Sequence, residues 1–276
     1  MSVLHLTAPP LAGPVIETQG LTRIFGELVA VDRLDLAVER GVIFGLLGPN
    51  GAGKSTTIRM LTTLLPPTSG SARVAGFDIG RQAPDVRRHI GYVPQLVSAD
   101  GGLTGAENLT LSARLYRVPR AARRQRIADA LVFMDLVDAA DQLVRTYSGG
   151  MIRRLEVAQA MLHEPEVLFL DEPTIGLDPI ARRAVWDRLR ELKRRSAMTI
   201  LLTTHDMEEA DALCDRLAIM HDGTLALAGV PSELKAALGP EASLEDVFVE
   251  TVGGSIEEGG TYRDVRQLRS TARRLG

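Results

Sequence analysis

Cysteine and lysine are almost absent from this chain. One cysteine, Cys214, occurs in 276 residues, so the sequence cannot form an internal disulfide. Its apolar neighbours are typical of a reduced core residue. Only three of the 32 basic residues are lysines, at positions 54, 193 and 235. A lysine inside a short motif is therefore a rare event in this sequence.

The features of a membrane-spanning or nucleic-acid-binding chain are also missing. No segment approaches the ~18 consecutive apolar residues of a membrane span. Residues 1–14 are proline-rich and lack the basic start and apolar stretch of a secretory signal. The net charge is −3, which does not favour a nucleic-acid partner. We therefore expect a soluble cytosolic chain that reaches a membrane only through a partner.

What the sequence does contain is a phosphate-binding loop at 48–56. An apolar run of strand length precedes the loop, and apolar residues at helical spacing follow it. The fixed positions of the pattern G-x-x-x-x-G-K-[ST] are Gly48, Gly53, Lys54 and Ser55. Chance gives this pattern in about one of a hundred chains of this length, and the strand–loop–helix context lowers that further.

The residue types in this loop suit a nucleoside triphosphate. Glycines at 48, 51 and 53 let successive backbone N–H groups turn towards an anion. The helix that begins near Lys54 directs its partial positive end at the same place. Lys54 adds a full positive charge for the outer phosphates, and the Ser55 hydroxyl can ligate Mg²⁺. We therefore predict binding of a nucleoside triphosphate with Mg²⁺.

Two further buried strands end in polar residues. Asp171 and Glu172 follow an apolar run at the position where open α/β sheets place their ligands. Adjacent carboxylates point in different directions, so one can serve Mg²⁺ and the other can polarise an attacking water. The next buried strand, 198–204, is followed by His205. A lone histidine is more often structural, but here it is a candidate contact of the γ-phosphate.

Three other positions have both a structural and a functional interpretation. Gln95 follows a predicted strand, where a glutamine is usually a solvated loop residue. Phe25 could be an inward strand residue or could stack on an adenine face. Ser148 is a candidate helix N-cap with Gly149 and Gly150 in the first turn. Glycines there lower helix stability, and close approach to another phosphate is one explanation for them.

The rest of the chain indicates an α/β organisation. Alternating apolar residues predict antiparallel strands at 15–20 and 29–38, further strands at 71–78 and 89–94, and a hairpin at 217–228. Residues 103–159 have a helical pattern. Its charge run of Arg120, Arg123, Arg124 and Arg126 could meet an acidic partner, although a solvated helix face is the better interpretation. We expect a loose N-terminus at 1–14 and a mobile tail at 251–276, with a weak terminal helix as the alternative.

Taken together, these motifs resemble the ATP-binding subunit of an ABC transporter over roughly residues 15–250. The Ser-Gly-Gly signature at 148–150 is the discriminating motif, because other phosphate-loop ATPases lack it. The resemblance implies an α/β fold with a RecA-like P-loop core and an N-terminal antiparallel β subdomain. It also implies an inserted helical subdomain at about 96–160.

The resemblance also implies a role for each matching position. The residues that would hold ATP are Phe25 on the adenine and, on the phosphates, Gly48, Asn50, Gly51, Ala52, Gly53, Lys54, Ser55 and Thr56. Those that would act in hydrolysis are Glu172 as the base, His205 as the switch histidine, Lys54 and Gln95. Those that would face Mg²⁺ are Ser55, Gln95 and Asp171. Those that would act across a head-to-tail homodimer are Ser148, Gly149, Gly150 and Asp178.

The signature departs mildly from the family pattern, since Tyr147 stands where leucine is usual and Met151 where glutamine is usual. Tyr-Ser-Gly-Gly-Met resembles the drug and antibiotic resistance exporter branch, as does the segment 244–250. This branch implies an ATPase at the cytoplasmic face of the membrane, bound to a separate permease subunit. An importer ATPase and a soluble ABC ATPase acting on ribosomes or DNA are the alternatives.

Overall fold

Two β-sheets and the helices between their strands form the computed structural model, which describes residues 13–253. The strands are β1 (Ile16–Phe25), β2 (Leu28–Val38), β3 (Ile43–Leu47), β4 (Ser69–Val74), β5 (Phe77–Asp78), β6 (Ile90–Val93), β7 (Val167–Asp171), β8 (Thr199–Thr204), β9 (Arg216–His221) and β10 (Thr224–Gly229). The helices are α1 (Lys54–Leu61), α2 (Ala83–His89), α3 (Gly105–Leu115), α4 (Arg120–Phe133), α5 (Gly149–Met161), α6 (Pro179–Arg195), α7 (Met207–Leu213), α8 (Pro231–Leu238) and α9 (Leu244–Gly253).

The smaller sheet is antiparallel, with strand order β2-β1-β4-β5. The larger sheet has the order β10-β9-β3-β8-β7-β6 and is parallel except for the β9–β10 hairpin. The predicted antiparallel strands and hairpin are therefore confirmed. Helix α2 was not predicted, because Val86 is its only buried residue and the segment has no apolar stripe.

The larger sheet is covered on both faces, which explains its continuous apolar strands. Side chains of a strand alternate between faces, so neighbouring residues of β7 enter different cores. Phe169 packs with α1 and the smaller sheet. Leu168 and Leu170 pack with the helices α5 and α6 on the opposite face. Within β7 every residue is buried, which gives its carboxyl end a fixed position.

The predicted helical region contains α3, α4 and α5. Helix α3 begins with a capping box, in which Thr104 and Glu107 satisfy each other's backbone N–H groups. In the arginine run, Arg120 and Arg124 are exposed, whereas Arg126 forms an ion pair with Glu164 at 2.7 Å. The predicted solvated face of α4 therefore includes Arg120 and Arg124 but not Arg126.

The ends of the chain lie largely outside the described residues. Residues 1–12 of the predicted loose N-terminus are not described, nor are residues 254–276 of the predicted tail. Residues 251–253, which were expected to begin the tail, form the end of α9. Between residues 13 and 253, no helix is both long enough and apolar enough to cross a membrane.

His163 links the helical region to the larger sheet. Its ring stacks on Tyr116 of the α3 C-terminus with centroids 4.0 Å apart, and its Nε2 donates to the carbonyl of Ile90 at 2.9 Å. Nδ1 has no hydrogen-bond partner among the described residues. Burial lowers the pKa of His163 to about 4, because a charged ring would lose its solvation.

This depressed pKa predicts acid sensitivity. In the unfolded chain His163 binds a proton near pH 6.5, whereas in the folded chain it does so only near pH 4. The free energy of unfolding is therefore highest above pH 6.5 and decreases as the pH falls towards 4, because protons then favour the unfolded chain. Between pH 7.5 and 4.5 we expect the His163→Gln variant to lose about 2–3 kcal/mol less free energy of unfolding than the parent chain. Urea denaturation monitored by Trp186 fluorescence measures this. His221→Gln is the control, and parallel losses in the parent and His163→Gln chains would contradict the account.

Candidate functional site

The phosphate loop lies between β3 and α1 at the carboxyl end of the larger sheet. Gly48 follows the last residue of β3, and its N–H donates to the carbonyl of Thr204 at 3.2 Å. Gly53 precedes α1 with φ +98°, and a Cβ there would lie 2.5 Å from the carbonyl oxygen of Ala30. Only glycine fits that backbone and that space. The predicted strand–loop–helix context is confirmed.

Lys54 is buried and forms three polar contacts. Its Nζ donates to the carbonyl of Gly48 at 2.7 Å and to that of Pro49 at 3.1 Å. The third contact is an ion pair with Glu172 Oε1 at 3.2 Å. An ammonium group has three donors, so each has an acceptor in this structure. A phosphate that reaches Lys54 must replace at least one of these acceptors.

Glu172 lies immediately after β7 and contacts the switch-histidine candidate. Its Oε2 lies 2.8 Å from His205 Nδ1, so an Nδ1–H donates to the carboxylate and Nε2 is left for another group. Glu172 has φ +50°, a conformation that costs energy for a residue with a side chain. The carboxylate of Glu172 contacts Lys54 and His205, whereas that of Asp171 contacts two hydroxyl groups. These different contacts agree with the expectation that adjacent carboxylates point in different directions; their roles towards Mg²⁺ and water stay predictions.

Asp171 is linked to the loop by hydroxyl groups. Ser55 Oγ donates to Asp171 Oδ1 at 2.8 Å, and Thr203 Oγ1 donates to the same oxygen at 2.7 Å. Thr203 Oγ1 in turn accepts the backbone N–H of Glu172 at 2.9 Å. One threonine on β8 therefore fixes the bend between the two carboxylates.

The donor set around Ser55 and Asp171 fits Mg²⁺. A hydroxyl and a carboxylate are hard oxygen donors, and Mg²⁺ is usually held by one or two carboxylates together with substrate phosphates. Within residues 13–253, no group of three or more His, Cys, Asp or Glu side chains could hold a metal ion. The cation therefore fits as a companion of the nucleotide. Two carboxylates also outnumber Lys54, so a triphosphate here needs further positive charge.

The Ser148 segment lies next to the loop that carries Asp178, because a Cβ on Gly149 would lie 3.1 Å from the side chain of Leu177. Ser148 caps α5, with Oγ accepting the N–H of Met151 at 3.3 Å, as predicted. Ser148 and Gly149 are exposed. Gly150 is buried, and a Cβ there would lie 2.8 Å from the Cβ of Ala181 in α6. Close helix packing therefore explains Gly150 without a phosphate.

Two other predicted site residues are exposed. Asp178 caps α6 and accepts the N–H groups of Ile180 and Ala181 at 2.9 Å. Phe25 ends β1 with 43% of its surface exposed, and the Arg23 guanidinium lies over its ring at 4.4 Å. Phe25 is thus not an inward core residue.

Gln95 is exposed two residues beyond the end of β6. Val93, the last residue of β6, pairs with Leu170, which precedes Asp171. Gln95 and the two carboxylates therefore lie at the same edge of the sheet.

Sequence reasoning missed Thr203 and the buried carboxylate of Glu209. Glu209 Oε1 accepts from Thr174 Oγ1 at 2.6 Å and from Trp186 Nε1 at 3.0 Å, so it connects α6, α7 and the segment after Glu172. Burial raises the pKa of Glu209, and these hydrogen bonds oppose that shift. The signal was present in the sequence. Thr203 is a polar residue inside an apolar strand, and Glu209 is the third residue after Asp206, which caps α7.

Comparison with known proteins agrees with this geometry. The sequence pattern of the ABC transporter family matches residues 31–175. The chain belongs to the ABC transporter family. It is 50% identical over 224 residues to the daunorubicin/doxorubicin resistance ATP-binding protein DrrA of Streptomyces peucetius, covering 81% of this chain and 68% of that protein.

A second ABC relative is the Nod factor export ATP-binding protein I of Ralstonia nicotianae, with 46% identity over 80% of this chain and 68% of that protein. Among solved structures, an ATP binding subunit of an ABC transporter matches with a TM-score of 0.76 and 30% identity. The match covers 86% of this chain and 99% of that one. The predicted fold class and nucleotide-binding ATPase activity of the ABC family are therefore confirmed.

Proposed function

We propose that this chain is the ATPase of an ABC exporter and that Glu172 is the base of its ATP hydrolysis. The observation that carries the proposal is the contact of one buried carboxylate with both Lys54 and His205. A general base must lie beside the groups that bind the reacting phosphate. Glu172 is placed there by the end of β7 and by Thr203.

Nucleotide binding would release this carboxylate. Lys54 holds Glu172 Oε1, and a γ-phosphate is the stronger acceptor for the lysine because it carries more negative charge. Once Lys54 turns to the phosphate, Oε1 is free to accept a proton from water. His205 would keep the other oxygen in place through Nδ1–H, which leaves its Nε2 available for the γ-phosphate. ATP itself therefore completes the arrangement of the base.

We assign the remaining residues by their positions. Ser55, Asp171 and Gln95 would hold Mg²⁺, which neutralises part of the phosphate charge when bound. The backbone of the phosphate loop would hold the β- and γ-phosphates, with contributions from Gly48, Asn50, Gly51, Ala52, Gly53 and Thr56. The exposed ring of Phe25 would stack on the adenine. We keep the sequence-based division into a core at 15–250 and a helical subdomain at about 96–160.

A second copy would complete the site. Ser148 and Gly149 are exposed at the start of α5, and no hydrogen bond within residues 13–253 joins them to Lys54 or Glu172. A helix start with free N–H groups is an anion site. In a head-to-tail homodimer, this helix start and Asp178 would face the γ-phosphate bound by the other copy.

The exporter assignment rests on the relatives. One is a drug-resistance ATP-binding protein and another is a Nod factor export ATP-binding protein. We infer that this chain drives efflux of a drug, antibiotic or lipid-like compound from the cytoplasmic face of the membrane. A separately encoded permease would form the path.

Co-purification tests this assignment. Tagged chain recovered from gently solubilised native membranes is expected to bring with it a polypeptide with several membrane spans. In intact cells that carry both proteins, Glu172→Gln should raise retention of the exported compound. Recovery of the chain with ribosomes or DNA in the soluble fraction would contradict the exporter assignment. If cells need the chain to take up a compound, an importer would be favoured instead.

A further inference from the structure

Helix α5 contains a buried ion pair that the ATP site does not use. Arg153 and Glu156 are three positions apart in the sequence, and their side chains are only 7% and 2% exposed. Arg153 NH1 lies 3.0 Å from Glu156 Oε2. Ion pairs buried to this degree have a large desolvation cost, so their presence in a helix otherwise packed with apolar residues needs an explanation.

The partners of this pair all belong to one loop. Arg153 NH1 donates to the carbonyl of Pro94 at 2.8 Å, and NH2 donates to the carbonyl of Gln95 at 3.0 Å. Glu156 Oε1 accepts the N–H of Ser98 at 2.5 Å and the Ser98 hydroxyl at 2.9 Å. Charge-assisted hydrogen bonds from the pair therefore fix both ends of the loop at 94–98.

The pair also connects the loop at 94–98 to the start of α5. Because Arg153 lies on the helix that Ser148 caps, the same helix carries both the signature residues and the contacts to Gln95.

We propose that Arg153 and Glu156 are a positioning pair, which holds the backbone of Gln95 so that its exposed side chain meets Mg²⁺ and the attacking water. The inference rests on the proposed ATPase site and on the role of Gln95 there. Neither side chain touches substrate. A displacement of α5 would move Ser148, its N-cap, and also the backbone of Gln95, to which Arg153 is hydrogen-bonded.

A double-mutant cycle tests this inference. Arg153→Lys keeps the charge but loses the two-pronged contact with Pro94 and Gln95. We expect kcat for ATP to fall about tenfold with KM changed less than about twofold, because the reacting geometry is lost rather than the phosphate contacts. In a Gln95→Ala background, Arg153→Lys should change kcat less than about twofold, since the group it positions is absent.

Arg154→Lys is the matched control. Arg154 is the next residue of α5, and its NH1 also donates to backbone carbonyls, those of Met134 and Asp135, at the C-terminal side of α4. We expect this variant to keep the kcat of the parent chain. If Arg153→Lys lowers the melting temperature strongly, Ser98→Ala replaces it in the double-mutant cycle. Ser98→Ala removes only one hydroxyl, the one that donates to Glu156.

A binding measurement provides a readout independent of turnover. In the Glu172→Gln background, we expect Arg153→Lys to reduce the Mg²⁺-dependent gain in ATP affinity, measured by calorimetry with and without Mg²⁺. Equal effects of Arg153→Lys on kcat with and without Gln95, or an unchanged Mg²⁺-dependent gain, would overturn the positioning role. Absence of ATP hydrolysis in the parent chain would instead refute the proposed function.

Discussion

The Glu172→Gln variant is expected to bind ATP and to hydrolyse it about 10²–10⁴-fold more slowly than the parent chain. Glutamine keeps the shape of the side chain but cannot accept a proton from water. It also removes the counter-ion of Lys54, whose contact at 3.2 Å otherwise competes with phosphate. ATP affinity should therefore be unchanged or higher. Phosphate release measures the rate, and calorimetry measures the affinity.

Asp187→Asn is the control for a general change in charge. Asp187 lies on α6 with 73% of its side chain exposed, and its ion pair with Arg190 is a surface contact. We expect this variant to keep the activity of the parent. Near-normal turnover by Glu172→Gln would refute the assignment of the base.

The second large effect is expected at Lys54. Lys54→Ala should weaken ATP binding about 10–100-fold, since hydrogen bonds to charged groups are worth about 1.5–3 kcal/mol each. It should also destabilise the chain by about 3–5 kcal/mol, because Glu172 is 6% exposed and would lose its buried cation. Calorimetry measures the affinity, and urea denaturation measures the stability.

The double variant Lys54→Ala with Glu172→Gln separates the two effects. It removes both charges of the pair, so the free energy of unfolding should recover towards that of the parent. ATP affinity should remain low, because the lysine is still absent. An affinity unchanged by Lys54→Ala would refute the phosphate-loop assignment.

Much of this site could be predicted because its residues lie at strand ends. Asp171 closes β7, and Glu172 and His205 directly follow the buried strands β7 and β8. Lys54 begins the helix after the loop that leaves β3, and parallel strands bring their carboxyl ends to one edge. A local pattern also predicted the cap at Ser148, which depends on residues only a few positions apart.

The contacts that join distant segments could not be predicted in the same way. Thr203 contacts Asp171 and the backbone of Glu172 across a strand pair. Its place as a polar residue in an apolar strand marks it as unusual, but the sequence does not identify these distant partners. Arg153 and Glu156 look like solvated charges of an amphipathic helix until the loop at 94–98 is placed against them. Helix α2 was missed because too few of its side chains are buried to mark a face.

The claim that two copies of this chain complete each ATP site can be tested directly by measuring the mass of the particle in solution. Sedimentation equilibrium of the Glu172→Gln chain with saturating Mg²⁺ and ATP is predicted to give twice the chain mass of 29.8 kDa. Without ATP the mass should be that of one chain. A Ser148→Arg substitution, placed at the exposed start of α5, should prevent association while leaving ATP bound. A single-chain mass for Glu172→Gln at saturating ATP would contradict a site built from two copies.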